Sequence, residues 1–372
     1  MMRRVLTLVL GIALSTVLLS SANAQTFEET LNNMSSDAAK AYVNPIVSGF
    51  GVNLNGGWFH RAPRATMFGF DLEIGVVGME TFFKDDAKTF NSNGTFSFND
   101  QQAASLTTFV DTDPRYAGLS QLDRDNLKLY LQNQITAQSF TLGISGPTIV
   151  GSSNDSIAIA FASKTYNNAP VVGSVTVPGQ RVVLPVTAYL GELKALPFLA
   201  PQLSIGIFLG SEFTFRYIRL NNIQNLGTLK YFGWGIQHNP GIWLGPADIL
   251  PVDLSLSFFT QDLQVGGVFE TKATAFGVNV SKRLGWGFLN LTPYAGLMFE
   301  KSTMSFAYDF YAPDPTSHYQ ATKLEHVKFD LESANKSRLV VGLSFKLLIV
   351  NINADYNIGK YNSATAGIMI II

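Results

Sequence analysis

The 372-residue chain is 47% hydrophobic, 12% aromatic and 14% charged, with 26 Lys and Arg against 27 Asp and Glu, and it has no cysteine. That near-neutral balance excludes the basic footprint of a nucleic-acid binder and the polybasic signal of a membrane-surface protein. The absence of cysteine excludes disulfides, thiolate metal sites and lipid attachment through a thiol, and so low a charge content is unusual for a chain that faces water on every side.

The chain opens with an export signal over residues 1–24. Arg3 and Arg4 form a basic start, Val5 to Leu19 an apolar run, and Ala22-Asn23-Ala24 a small-residue cleavage site before Gln25. A helix is expected over residues 25–48. Thr26 and Glu29 make a capping box, and Phe27, Leu31, Met34, Ala38, Tyr42 and Ile46 recur at helical spacing. Pro45 is expected to end or kink it near Asn44. Two homes suit such a helix, inside a barrel lumen as a plug or across its periplasmic mouth.

Residues 49–372 read as strands. Gly51 to Phe59 leads through a turn at His60 to Thr66 into Phe68, Phe70, Leu72, Ile74 and Val76, which alternate with Gly69, Asp71, Glu73 and Gly75. Residues 84–138 then turn polar, with short helices expected over Gln101 to Phe109, capped by Asp100, and over Leu119 to Gln134. A stretch this long with little strand signal reads as an extracellular loop. Weak strand signals follow at Phe140 to Ile144, Ser156 to Ser163 and Arg181 to Leu190. From Phe198 to the end the alternation is strict, as in Leu343 and Phe345 against Ser344 and Lys346, or Val350 and Ile352 against Asn351 and Asn353. Alternate side chains of a strand point to opposite faces, so each of these segments has one apolar and one polar face.

No apolar run after the signal is long enough for a transmembrane helix. An exported chain of alternating strands fits a closed barrel, the other backbone arrangement that spans a bilayer with every polar group paired. The expectation is an all-β antiparallel transmembrane barrel of about fourteen strands, within a range of 12–16. Trp58, Phe59, Phe213, Phe215, Tyr217, Tyr231, Phe232, Trp234, Trp286 and Tyr294 are expected to form aromatic girdles at its interfaces.

One stretch resembles a known group. Leu196-Pro197-Phe198, Pro201 to Gly206, Gly210-Ser211-Glu212, Arg216-Tyr217, Gly233 to His238 and Leu250 to Ser255, with Gly49-Phe50-Gly51 and Asn55-Gly56-Gly57-Trp58 after the helix, look like an uncharacterised family of exported proteins common in Bacteroidetes. That family is similar to fatty-acid-transporter-like (FadL-like) outer-membrane barrels. The resemblance implies fourteen strands, an N-terminal plug and lateral passage of hydrophobic molecules through the wall. The chain departs from many such barrels in ending Ile370-Ile371-Ile372, without a terminal aromatic residue.

Catalytic and metal chemistry finds no motif. His60, His238, His318 and His326 are scattered, and Asp111, Asp113, Asp123 and Asp125 lack the turn glycine of a calcium loop. No enzyme, cofactor or metal is expected. The polar positions of the strands carry Asp71, Glu73, Glu212, Arg216, Asp253, Lys272, Glu300, Lys346 and Asp355. An Arg or Lys facing lipid at the midplane costs about 2–4 kcal/mol, so these charges are expected to line the lumen. The expected function is passive uptake or export of a small hydrophobic or amphipathic molecule across the outer membrane of a Gram-negative cell. The expected partners are outer-membrane lipid, that ligand and the barrel assembly machinery, with no nucleic acid. The alternatives are a non-conducting structural or secretion-docking barrel, and a secreted soluble β-protein.

Overall fold

A computed structural model describes residues 36–98, 100–184, 186–223, 227–243, 251–267, 269–313 and 322–372. It begins with helix α1 (Ser36–Asn55) and strand β1 (Asp71–Phe82). An inserted segment, 83–194, follows. It contains β2 (Thr89–Ser97), α2 (Asp100–Leu106), α3 (Phe109–Thr112), α4 (Gln121–Thr136), β3 (Ser139–Pro147), β4 (Ala158–Phe161), β5 (Lys164–Ala169), β6 (Gly173–Val177) and β7 (Gln180–Val183). The chain then runs through β8 (Ala195–Gly206), β9 (Ser211–Ile223), β10 (Gly227–His238), β11 (Asp253–Val265), β12 (Phe269–Ser281), β13 (Leu284–Gly285) and β14 (Leu289–Pro313). It ends with β15 (Thr322–Glu332), β16 (Ser337–Leu347), β17 (Val350–Ile358) and β18 (Ser363–Ile371).

The strands close into an antiparallel barrel. Its ring runs β1-β8-β9-β10-β11-β12-β14-β16-β17-β18 and back to β1, closed by the β12–β14 and β1–β18 ladders. That is ten strands, against the fourteen expected from sequence. Alternation marks a strand but not the sheet it joins. The weak signals between residues 139 and 190 belong to a separate sheet, β2-β3-β4-β7, and to the β5–β6 ribbon. Two strands expected around Phe288–Phe299 and Thr303–Phe310 are one 25-residue strand, β14. β13 and β15 pair only with β14 and stay outside the ring. Gly51 to Phe59, expected as a strand, is the end of α1 and the turn after it.

The wall is polar within and apolar without. On β17, Asn351, Asn353, Asp355 and Asn357 are buried while Val350, Ile352, Tyr356 and Ile358 are exposed. The same inversion holds on β16, where Ser344 and Arg338 are buried and Leu339, Val341, Leu343 and Phe345 are exposed. A protein folded in water would place these faces the other way round.

The two mouths differ. At the terminal mouth β1 begins and β18 ends, and Leu72 and Ile372 exchange backbone hydrogen bonds of 3.1 and 2.8 Å. At the opposite mouth the segment 83–194 sits between β1 and β8 as a cap. The cap has a core of its own: α4, capped by the Ser120 hydroxyl accepting from the Asp123 N–H, buries Leu127, Leu131 and Ile135 against Tyr166 and Val175. The expected long loop is thus a folded unit that continues past residue 138, and Asp100 and the second helix fall close to where sequence placed them.

α1 joins cap and barrel. It continues through Pro45 to Asn55 and does not end at Asn44. A helical proline loses one backbone bond at a cost of about 3 kcal/mol or more, and packing on both sides of it outweighs that cost here. Ala38, Tyr42 and Ile46 face Ile149, Val150, Val186 and Leu190 of the cap, with rim residues Leu196 and Met304, and do not lie deep in the lumen. Phe27, Leu31, Met34 and residues 1–24, expected as an export signal, lie outside the described residues. The second half of α1 enters the ring.

Candidate functional site

Residues 49–63 fill the lumen. Helix α1 can approach the wall because Gly51 has no side chain; a Cβ there would meet the Cβ atoms of Ser302 and Ser333 at 2.8 Å. Asn53 donates to the Leu196 carbonyl (2.7 Å) and accepts from the Thr81 hydroxyl (2.7 Å). Asn55 donates to Ser302 (3.1 Å) and accepts from Gln261 (2.8 Å). Arg338 donates to the Asn55 carbonyl (2.6 Å) and stands 3.7 Å from the buried Glu300. These side chains serve the last carbonyls and side chains of a helix that ends inside the barrel.

The chain then turns at Gly57, whose φ of +64° suits glycine, and whose Cβ would lie 2.5 Å from Val77. Trp58 is buried, donates to the Leu54 carbonyl (2.9 Å) and to Gln261 (3.1 Å), and stacks on Phe259 at 5.0 Å. The Arg216 guanidinium covers the other part of this site. It lies 4.1 Å from the Trp58 ring centroid and donates to the carbonyls of Gly56 (3.0 Å) and Gly57 (2.6 Å) and to Gln202. A buried cation is tolerated where oxygens and an aromatic face replace water. Below it Tyr294 donates to Asp355 at 2.9 Å.

At the terminal mouth Arg61 is held by Asp71 (2.5 Å), by a close pair with Glu73, and by Glu212 at 3.3 Å. His60 stands 3.4 Å from Glu73. Lys346 and Asp253 are half-buried on the same inward face. Of the strand charges expected in the lumen, Glu73, Glu212, Arg216, Glu300 and Asp355 are buried on the inward face, and Asp71, Asp253 and Lys346 are half-buried on it. Lys272 is exposed on the outer face, pairing with Glu270 at 3.3 Å. It shares parity with outward Phe276 and Val278, while Thr271, Ala273 and Ala275 point inward. Reading parity rather than polarity places it correctly. Lys272 belongs to an outer polar row at the cap-side edge, with Arg219, Lys230, Asp262 and Lys301.

That row bounds an apolar band. The outward face of β14 is apolar from Leu291 to Phe299, about 26 Å along the strand and roughly 20 Å once tilted. The shortfall against a band of about 25 Å is met at the terminal mouth, where Phe68, Phe70, Phe208, Trp243, Trp286 and Phe288 are exposed. Of the expected girdle, Phe213, Phe215, Tyr217, Phe232, Trp234 and Trp286 are on the outer side. Trp58, Phe59, Tyr231 and Tyr294 are buried inside, where they pack residues 49–63 against the wall.

Among the described residues, one seam of the wall is incomplete. β8 pairs with β1 over its whole length, but with β9 only from Gly206↔Glu212 to Gln202↔Arg216. Ile207 N–H donates to the Ser211 carbonyl, so odd-numbered residues of β8 turn their backbone groups toward β9. Pro197 and Pro201 are both odd, and a proline has no N–H to donate. The ladder stops at Pro201. Behind this seam the lumen is apolar: Leu54, Val77, Met79, Phe198, Ile218 and Tyr231 belong to one buried cluster. Arg216 and Gln202 form the last rung below it.

Sequence reasoning passed over several residues that build this interior. Arg338 shares the inward parity of Ser344 and Lys346 six residues before Ser344, and extending that parity to the start of β16 finds it. Asn53, Asn55 and Arg61 carry no such signal, because their roles come from threading through the ring. His238 ends β10, 3.0 Å from Ser211 and 3.0 Å from Trp243. Asp111 and Asp125 pair with Lys128, and Asp113 with Arg115. Among the described residues no group of His, Cys, Asp and Glu is placed to hold a metal, and no helix is long and apolar enough to cross a membrane.

The chain belongs to a family of unknown function, DUF6588, which matches residues 2–372. No curated protein matches it. Among solved structures it is similar to OmpT with loop L8 deleted, an outer-membrane protein of Vibrio cholerae (9% identity, 82% of this chain and 100% of that one, TM-score 0.22). The trimer form of OmpT gives 9% identity, 82% and 99% coverage and a TM-score of 0.23. An anion-selective porin from Comamonas acidovorans gives 10%, 82% and 99%, and 0.18.

Proposed function

We propose that this family member is an exported outer-membrane β-barrel, closed to ions, that passes a small hydrophobic or amphipathic molecule sideways through the seam between β8 and β9. The observation that carries this reading is the proline-interrupted ladder backed by an apolar interior. An apolar solute moving between bilayer and lumen needs a wall opening that breaks no paired backbone, and Pro197 and Pro201 supply one. The inside-out wall supports a bilayer as the surrounding solvent, with lipid and the barrel assembly machinery as partners. The reaction is passive, without catalysis or cofactor.

The test exploits a chain with no cysteine. Continuing the register of Gln202↔Arg216 puts Leu199 opposite Arg219. The double substitution Leu199→Cys with Arg219→Cys, oxidised or bridged by a short dithiol reagent, should stop entry of an apolar fluorescent probe into proteoliposomes, and reduction should restore it. A bridge at Leu203→Cys with Phe215→Cys, where the ladder is already paired, should change nothing. Unaltered probe entry with the upper seam bridged would rule out the lateral route.

A second reading is a non-conducting anchor that holds the cap at the membrane surface. It is favoured by α1, which is built into both the cap core and the lumen. Absence of any probe entry in the unbridged protein would select it.

A further inference from the structure

The two mouths of the barrel are built from different turns. At the cap mouth the turns use residues that suit water. Gly266 takes the positive φ (+56°) between β11 and β12, and exposed Lys360 stands in the turn between β17 and β18. At the terminal mouth the turns are apolar. Phe208 and Leu209 join β8 to β9, Trp286 and Phe288 join β13 to β14, and Leu348 and Ile349 join β16 to β17. Phe68, 88% exposed, and Ile372 stand between them. Leu209 (φ +58°) and Leu348 (φ +55°) even occupy left-handed backbone, where glycine or asparagine is usual. Backbone hydrogen bonds tie these segments to one another. The Leu348 N–H donates to the Phe288 carbonyl (2.6 Å), the Ile371 N–H to the Ile349 carbonyl (2.7 Å) and the Leu209 N–H to the Met67 carbonyl (3.1 Å), while Leu72 and Ile372 exchange a pair. The result is one apolar lip from the β13–β14 turn round to the β8–β9 turn.

We infer that this lip is a docking surface for the acyl chains of a phospholipid leaflet, so that the turns of the terminal mouth are seated in hydrocarbon and not in water. Three observations select lipid as the occupant. First, the lip is continuous with the outer wall. Phe345 and Ile352 of the wall and Leu347, Leu348, Ile349 and Val350 of the turn line one groove of about 320 Å³. The polar row that ends the apolar band on the cap side has no counterpart here on the outward faces of β14, β16, β17, β18, β1 and β8, among the described residues. A protein interface has an apolar centre inside a polar rim, whereas this lip runs into the wall without one. Second, hydrocarbon offers no hydrogen bonds, so backbone that enters it must be paired within the protein. The bonds between neighbouring turns do this at Leu209, Leu348, Ile371 and Ile372. Third, Arg64 and Lys282 are exposed at this mouth, and their long stems suit a reach from the lip to headgroup phosphates. Short turns of outer-membrane barrels face the periplasm, which makes this the periplasmic leaflet. The inference rests on the bilayer placement proposed above.

Fluorophores on single cysteines test it in the full chain, reconstituted into vesicles of phosphatidylethanolamine and phosphatidylglycerol. Leu348→Cys and Phe208→Cys report the lip, Leu343→Cys the wall and Lys360→Cys the cap mouth, all at exposed positions. The mobility difference between heated and unheated gel samples establishes that each variant is folded, and Phe288→Cys replaces either lip variant that is not. Two quenchers are compared, bromine carried on the acyl chains and iodide present on both sides of the membrane. The lip labels should lose as much fluorescence to brominated lipid as the Leu343→Cys label and little to iodide, and the Lys360→Cys label should do the reverse. Lip labels quenched by iodide as strongly as the Lys360→Cys label, while bromine still quenches the Leu343→Cys label, overturn the lip alone and put the mouth in water. Lip labels silent to both quenchers overturn it as well, because a second copy of the chain then covers them. If bromine fails to quench the Leu343→Cys label, the bilayer placement falls, and the inference with it.

Discussion

Trp58→Ala is the most informative single substitution. The indole is 2% exposed, stacked on Phe259, and bonded to the Leu54 carbonyl and Gln261. Removing a buried Trp side chain costs about 3–5 kcal/mol through lost transfer energy and the cavity left behind. Two further losses follow from its neighbours. Arg216 loses the ring face 4.1 Å from its guanidinium, a contact of roughly 2 kcal/mol when shielded from water. Gln261 keeps its bond to Asn55 but loses one donor. A total of about 3–5 kcal/mol is expected, since these losses overlap and are not additive. The assay is equilibrium unfolding in detergent micelles or lipid, followed by the mobility difference between heated and unheated gel samples. Trp58→Phe should recover about half of the loss, because it restores the packing and not the hydrogen bonds. A shift below about 1 kcal/mol, typical of a surface position, would refute the packing of residues 56–63 into the lumen.

Other substitutions separate the faces of the wall. Val341→Arg and Leu343→Arg, on the exposed apolar face near the middle of the band, should each cost about 2–4 kcal/mol of stability in lipid, measured by urea titration in vesicles. Ser344→Arg should also fail, because Ser344 is 1% exposed in a filled interior; an open lumen would accept it, and normal folding of this variant would argue for one. Gly57→Ala places a Cβ 2.5 Å from Val77 at a φ of +64° and should destabilise by more than about 1 kcal/mol in the same titration. Lys272→Gln, on the outer polar row, should stay within about 0.5 kcal/mol of the parent. Deleting residues 27–48 should prevent assembly rather than raise conductance, because it removes Tyr42 and Ile46 from the cap core; a folded barrel after this deletion would show that cap and lumen are independent.

How far the sequence could be read depends on which contacts are local. Strand periodicity is local, so the faces of β16, β17 and β18 are legible from Leu339 to Ile372, and the inward charges Glu73, Glu212, Arg216, Glu300 and Asp355 follow from them. Ring size is not local. Strands that join the cap sheet, such as Ala158–Phe161, alternate no differently from wall strands, and only the backbone pairing in three dimensions tells ten from fourteen. The apolar stripe gives no sign that α1 runs on to Asn55, because the residues that enter the ring are Gly51, Asn53 and Asn55, which break it. Pro45 signals an end that tertiary packing overrides. Lys272 differs in the other direction: its charge suggests an inward face, whereas its parity with Phe276 and Val278 puts it outward. The seam had a signal in plain view: Pro197 and Pro201 share parity, and two prolines four residues apart on one edge mark a strand that cannot complete its ladder.

The central claim is that alternate residues of the wall face lipid and a filled interior, which is polar along β17. A nitroxide or fluorophore placed at single cysteines through β17, from Val350 to Ile358, measures this directly with a lipid-phase quencher in reconstituted vesicles. Labels at Ile352, Ala354 and Tyr356 should be quenched strongly, and labels at Asn351, Asn353 and Asp355 should be quenched little and be immobile against residues 49–63 and the inner wall. Quenching that is uniform along the strand, or that is strongest at the asparagines, would contradict the account.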